Sequence, residues 1–158
     1  MATTPRASVL IGLLACVLAT ACSDDEKREP RPHACSLATI DPTIATDFYD
    51  AVRCLFEGEG APQQGVAAGT ITRERISVVR GRATDAAGEP IADARVIAIG
   101  HPEYGETSTG ADGWFDMAVN GGGRLTFRFE STGNLPVQRH VLTQWREFQL
   151  LPPVALLG

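Results

Sequence analysis

From Ile76 onward, apolar and polar residues alternate with a period of two. Val79, Gly81 and Ala83 alternate with Arg80, Arg82 and Thr84, and Ala94, Val96 and Ala98 with Arg95, Ile97 and Ile99. Phe115, Met117 and Val119 alternate with Trp114, Asp116 and Ala118, and Leu125, Phe127 and Phe129 with Thr126, Arg128 and Glu130. A repeat of two places successive side chains on opposite faces of a strand, so each run predicts a strand with one face in a core. Asp85 to Pro90, Ala111-Asp112-Gly113 and Asn120 to Gly123 carry turn residues between the runs. Val137 to Val141 predicts a further strand, and Phe148 to Leu157 one or two more. About seven short strands so spaced predict a mainly β chain folded as an antiparallel sandwich.

Upstream the period is helical. In IDPTIATDFYDAVRCLFEG, Ile44, Phe48, Val52, Leu55 and Phe56 form one apolar stripe. Asp41 or Thr43 is the candidate cap, Pro42 suits the first turn, and Gly58 ends the helix. Residues 58–70 read as a glycine- and alanine-rich connector. Ser23 to His33 is charged and proline-bearing without apolar periodicity, which predicts a disordered tether.

The first 21 residues are different again. Arg6 is followed by the apolar or small run ASVLIGLLACVLATA and then by the polar SDDEKREPRP. That layout is a secretory signal, and the run is shorter than the roughly 20 residues of a spanning helix. An uncleaved N-terminal anchor helix is the alternative. Cys16, after Leu13-Leu14-Ala15, fits a bacterial lipobox better by letter than Cys22, after Ala19-Thr20-Ala21. Cleavage before Cys22 nevertheless leaves an ordinary apolar core and a polar mature start, so Cys22 is the expected lipid attachment site. Cleavage after Ala21 without lipid is the competing outcome. The resulting divisions are signal peptide 1–21, tether 22–34, helix-containing linker 35–72 and β-sandwich 73–158.

Loss of residues 1–21 removes Arg6 and leaves 13 basic against 19 acidic residues, a net charge of −6. No basic stripe exists to neutralise phosphates, which excludes nucleic acid as a partner. A membrane is then reached through the lipid, not through anionic headgroups. With Cys16 gone and Cys22 acylated, Cys35 and Cys54 remain as an even pair that an oxidising compartment can join. Such a loop closure stabilises by roughly 3 kcal/mol on the chain-entropy model. Two free thiols are the other reading.

Candidate chemistry is sparse. The three histidines, His33, His101 and His140, stand in no metal-ligand spacing. His101 with Glu103 is the best metal candidate, though a hydrogen-bonded loop histidine accounts for it more simply. Asp85, Glu89 and Asp112 would form a weak calcium site only if the turns met, whereas Asp in such turns ordinarily bonds its own backbone. No nucleophile elbow appears. The sequence therefore predicts no catalytic residues, no metal, no cofactor and no enzyme. Among Tyr104, Trp114 and Trp145, Trp114 points opposite Phe115. Trp114 and Tyr104 are the candidate binding surface for protein or carbohydrate if exposed together. Under the helical stripe, Trp114 would instead be a packing residue.

VVRGRATDAAGEPIADARVIAIG, followed by TSTGADGWFDMAV, resembles the carboxypeptidase regulatory-like, or transthyretin-like, β-sandwich domain. The matching residues are Gly81, Asp85, Gly88, Pro90, Ala94, Val96, Thr109, Asp112, Gly113 and Phe115. HPEYGETSTGADGWFDMAVNGGGRLTFRFESTGNLPVQRHV resembles the transthyretin-like module of bacterial Rhs/YD-repeat and teneurin-like surface proteins, and the resemblance extends over roughly residues 39–157. It implies a non-catalytic interaction or structural module, here on a cell-envelope lipoprotein of the outer membrane, standing alone or as the front part of a longer teneurin-like protein. A surface carbohydrate- or peptide-binding module is the alternative.

Overall fold

The computed structural model describes Met1 and residues 43–158. The expected signal peptide, Cys16, Cys22, the tether with His33, Cys35 and the candidate cap Asp41 lie outside the described residues. The period-two runs form β1 (Ile76–Thr84), β2 (Arg95–Ala98), β4 (Trp114–Asn120) and β5 (Gly123–Glu130). The stretches expected further on give β6 (Val137–Thr143), β7 (Phe148–Leu150) and β8 (Val154–Ala155), and β3 (Glu106–Ser108) is added between β2 and β4. One sheet has the order β4-β1-β7 with β8 also on β1, and the other β3-β2-β5-β6. The second sheet is antiparallel throughout. The first is mixed, because β7 and β8 both run parallel to β1. The chain is thus the expected mainly β, largely antiparallel sandwich with a parallel addition at β7 and β8: it crosses from β6 in one sheet to the far side of β1 in the other and arrives in β1's own direction.

Register explains the core. Val79 pairs with Met117 and Gly81 with Phe115, so the odd-numbered positions of β1 and β4 share the inner face. Phe115 and Met117 there meet Val96, Phe127 and Phe129 of the other sheet, all of them buried. The Phe115 and Phe129 rings meet edge-to-face with centroids 5.4 Å apart. Gly81 is a glycine because Phe115 lies over it: a Cβ there would stand 2.7 Å from the Phe115 ring and 3.2 Å from Leu151.

The helix is shorter than its apolar stripe. α1 spans Phe48–Val52 and continues as a 3-10 turn over Arg53–Leu55. Its cap is Asp47, whose carboxylate accepts from the Tyr49 amide at 2.9 Å, while Ile44 is 66 % exposed. Asp47 sits in the extended region at ψ 146°, which starts the helix one turn late. α1 packs on β1 and the 3-10 turn on β4. These contacts bury Val52 and Leu55 and cover Ile76, Val78 and Ala118 on the outer face of the first sheet.

Residues 58–70, read as a glycine- and alanine-rich connector, close two sheet edges. Gln63 is 2 % exposed; its amide nitrogen donates to the Tyr104 and Ala118 carbonyls at 2.7 and 2.9 Å, and its oxygen accepts from the Ala118 amide at 2.7 Å. One side chain thus supplies β4 with the partner a neighbouring strand would give. Gln64 exchanges backbone bonds with Glu106, which covers β3. The arm passes so close that a Cβ on Gly105, at φ +65°, would fall 2.0 Å from the Gln64 carbonyl oxygen. Further along, the Asn120 side chain donates to the Thr70 carbonyl and accepts from the Thr72 amide.

Arg73 ties the arm to the helix. Its guanidinium bonds Asp47 at 2.9 Å and Asp50 at 2.7 Å, and lies 4.8 Å from the centre of the Tyr49 ring. The hydrogen bonds from Arg73 hold the Asp50 carboxyl below its ordinary range. A carboxylate with a depressed folded pKa contributes stability that is present above its unfolded value near 4 and lost as pH falls through the folded one. The difference in melting temperature between the parent and Arg73→Ala is therefore expected to be constant from pH 7 to 5 and to shrink below about pH 4. Thermal melts across that range check it, and a difference that grows on acidification would contradict the assignment.

Candidate interaction surface

The even-numbered positions of β1 and β4 face outward, and the helix covers only one end of this face. At the other end Arg80 and Asp116 are register partners and form a two-pronged ion pair, Nε to Oδ1 at 2.7 Å and Nη2 to Oδ2 at 2.8 Å. Asp116 is buried while Arg80 is half exposed, its guanidinium 5.2 Å from the centre of the Phe148 ring. The bond that Arg80 donates to Asp116 raises the Arg80 pKa, with burial opposing in part. Arg82 donates to the Asp112 carbonyl at 3.0 Å, next to half-buried Trp114. The outer face of the second sheet is a charged row: Arg95 bonds Glu106 and Glu130, and Glu130 also meets Arg128. Exposed pairs of this kind contribute little each. They keep that face wet.

Apolar exposure concentrates elsewhere. Leu142, Trp145, Phe148 and Leu150 are 64, 59, 51 and 67 % exposed, all within the β6–β7 region. Trp145 is held in place: its indole N–H donates to the Gly121 carbonyl at 3.1 Å, and Gly122, at φ +96°, leaves no space for a Cβ beneath the ring. By register Leu142 lies on the outer face of the second sheet and Phe148 and Leu150 on that of the first, where the Phe148 ring also meets Phe48 of α1 edge-to-face at 5.3 Å.

The pair singled out from sequence is not brought together. Tyr104 is 5 % exposed, on a 3-10 turn between β2 and β3 where His101 stacks on its ring. Trp114 is half-buried on β4 of the other sheet, away from the helix. Period two assigned Trp114 to the outer face but carried no information on what else would reach that face. His101 Nδ1 and Glu103 meet at 2.9 Å, and the contact lowers the Glu103 pKa. Among the described residues, no group of three or more metal-ligand side chains comes together. Asp85 accepts from the Ala87 and Glu89 amides, and Asp112 from the Trp114 amide. Cys54 is disulfide-bonded; the cysteine that completes the bond lies outside the described residues. Gln63 was missed by sequence reasoning, since a glutamine in a glycine-rich stretch carries no periodic signal.

Residues 71–156 match the model of the teneurin TTR-like domain. Teneurin-m of Drosophila melanogaster is 32 % identical over 127 residues, which is 80 % of this chain and 5 % of that protein. Teneurin-3 of Mus musculus is 32 % identical over 77 % of this chain and 4 % of its own length. The chain thus spans about a twentieth of these relatives. Similar solved structures include 3-chlorocatechol 1,2-dioxygenase from Rhodococcus opacus, with TM-score 0.41 and 14 % identity over 55 % of this chain and 53 % of that one. Hydroxyquinol 1,2-dioxygenase from Pseudomonas putida has TM-score 0.45 and 11 % identity, over 65 % and 64 %. These neighbours are enzymes, and the expectation that the chain is not an enzyme is set aside; likeness at this level neither gives this chain a reaction nor denies it one.

Proposed function

This chain belongs to the teneurin TTR-like domain family, and we propose that it is a teneurin-like structural and interaction module held at the bacterial cell envelope by a lipid on Cys22. The observation that carries this reading is the rooting of the N-terminal arm on the sandwich. α1 packs on β1, Gln63 bonds β4 and Gln64 bonds β3, so a pull on the chain ahead of Thr43 reaches both sheets. In this reading residues 1–21 are the export signal, 22–34 the tether, 35–72 the linker and 73–158 the module. Cys35 is the disulfide partner of Cys54. The surroundings are those of Rhs/YD-repeat proteins, and the envelope location is the outer membrane. Apolar residues 7–21, the abrupt polar change at Ser23 and the even cysteine pair support these assignments.

The expected mature terminus is an acylated Cys22. Intact-mass analysis of membrane-extracted protein checks this, with Cys22→Ser expected to move the chain to the soluble fraction. An unmodified Cys22 or Ser23 terminus would reject the anchor. A second reading, capture of carbohydrate or peptide at the surface, draws on Trp145, which is 59 % exposed while its indole N–H is bonded to the Gly121 carbonyl.

A further inference from the structure

We propose that the chain associates with a second copy of itself through the free edge of β7, which joins two sheets into one across a two-fold axis. The four edges of the two sheets are treated unequally. Gln63 covers β4 and Gln64 covers β3. β6 is open, but its register pairs Arg139 with Phe127 and so sets an exposed charge on the core-facing side of the strand. A charge placed there is a guard against pairing with another strand. β7 has no such device. From Phe148 to Ala155 the sequence FQLLPPVA is uncharged, and Phe148 and Leu150 are more than half exposed.

The backbone of this edge is self-complementary. The Val78 amide donates to the Glu147 carbonyl and the Leu151 amide to the Arg80 carbonyl. In a parallel pair this directs the backbone groups of residues 147, 149 and 151 toward β1 and those of Phe148 and Leu150 away from it. Two antiparallel copies related by a two-fold axis at Gln149 place Phe148 opposite Leu150 of the other copy. Each such pair then exchanges both its hydrogen bonds. On the outer face the same register sets Phe148 against Leu150 as an apolar cross-strand pair. Across the joined sheet the row reads Asp116, Arg80 and Leu150, then Phe148, Val78 and Ala118 of the second copy, so no like charges meet. Pro152 and Pro153 lack the N–H groups to extend the pairing, which limits it to this short stretch and makes it reversible. The proposal is independent of where the chain is held.

The full chain tests it. Gln149 sits on the axis, where non-hydrogen-bonded partners lie about 4.5 Å apart at Cα, within disulfide reach. Under mild oxidation Gln149→Cys is expected to give at least tenfold more covalent dimer than Gln138→Cys, a control on the outer face of β6. Sedimentation equilibrium is expected to show concentration-dependent dimer in the parent and at least tenfold weaker association in Leu150→Lys, with unchanged circular dichroism. A parent that stays monomeric to millimolar concentration overturns the proposal, as does equal cross-linking at residues 138 and 149. Association that survives Leu150→Lys places the interface elsewhere and overturns it too. Capture of an extended foreign peptide by a monomeric parent would give the edge to another partner and likewise overturn self-association.

Discussion

Gln63→Leu is expected to destabilise the chain by at least about 3 kcal/mol, although leucine matches glutamine closely in size. The substitution leaves the Ala118 amide, the Ala118 carbonyl and the Tyr104 carbonyl without their partner. Each buried polar group left unpaired costs about 1–3 kcal/mol. Against a typical folding stability of roughly 5–15 kcal/mol this is a large share. Chemical denaturation of both chains measures it, and a loss under about 1 kcal/mol would mean that water reaches the β4 edge in place of the arm. Gln63→Glu separates hydrogen bonding from size. Its carboxylate can still accept from Ala118 but faces two carbonyls it cannot donate to, so its folded pKa must rise above the ordinary value near 4.3. A group with a raised folded pKa contributes most below the unfolded value and loses that contribution as pH climbs through the folded one. The deficit of Gln63→Glu is accordingly expected to be smaller at pH 4 than at pH 8.

Phe115→Ala is expected to cost about 3–5 kcal/mol, the range for emptying a buried phenylalanine site. Phe115 is 1 % exposed and touches Phe129 across the sandwich. Its effect is coupled to Gly81. Gly81→Ala alone drives a methyl group into the Phe115 ring, and overpacking of this kind costs about 1–3 kcal/mol. In the Phe115→Ala background that collision is gone and the added methyl partly fills the space. The double variant should therefore be more stable than the sum of the single losses implies, by at least about 0.5 kcal/mol. A double-mutant cycle by urea denaturation reads this directly. Strict additivity would show that the backbone of β1 moves away instead.

The two substitutions probe different kinds of information. Phe115 was legible because it repeats with Met117 and Val119, and Gly81 because it stands among the residues that resemble the family. Gln63 follows no pattern. Its role exists only because residues distant in sequence, at 104 and 118, converge on it.

The sequence by itself determined the strands with long alternating runs, their inner faces and the turns at Asp85 and Asp112-Gly113. Those features depend on local chemistry: a period of two, side chains that bond their own backbone, and a glycine at positive φ. The three-residue β3 is too short to show a period, so its existence followed only from pairing, and so did the parallel direction of β7 and β8, which occupy the stretch 148–157 where the sequence predicts one or two strands. The helical stripe was real, yet the Asp47 cap starts the helix late and its end tightens into a 3-10 turn at Arg53, which leaves five α-helical residues. Exposure was decided by tertiary structure alone. An alternating strand states which side chains share a face but not whether a helix, an arm or nothing lies over it. Hence Tyr104 is buried and Trp114 half-covered, while Leu142, Trp145, Phe148 and Leu150 remain open at a margin that nothing local in the chain marks as an edge.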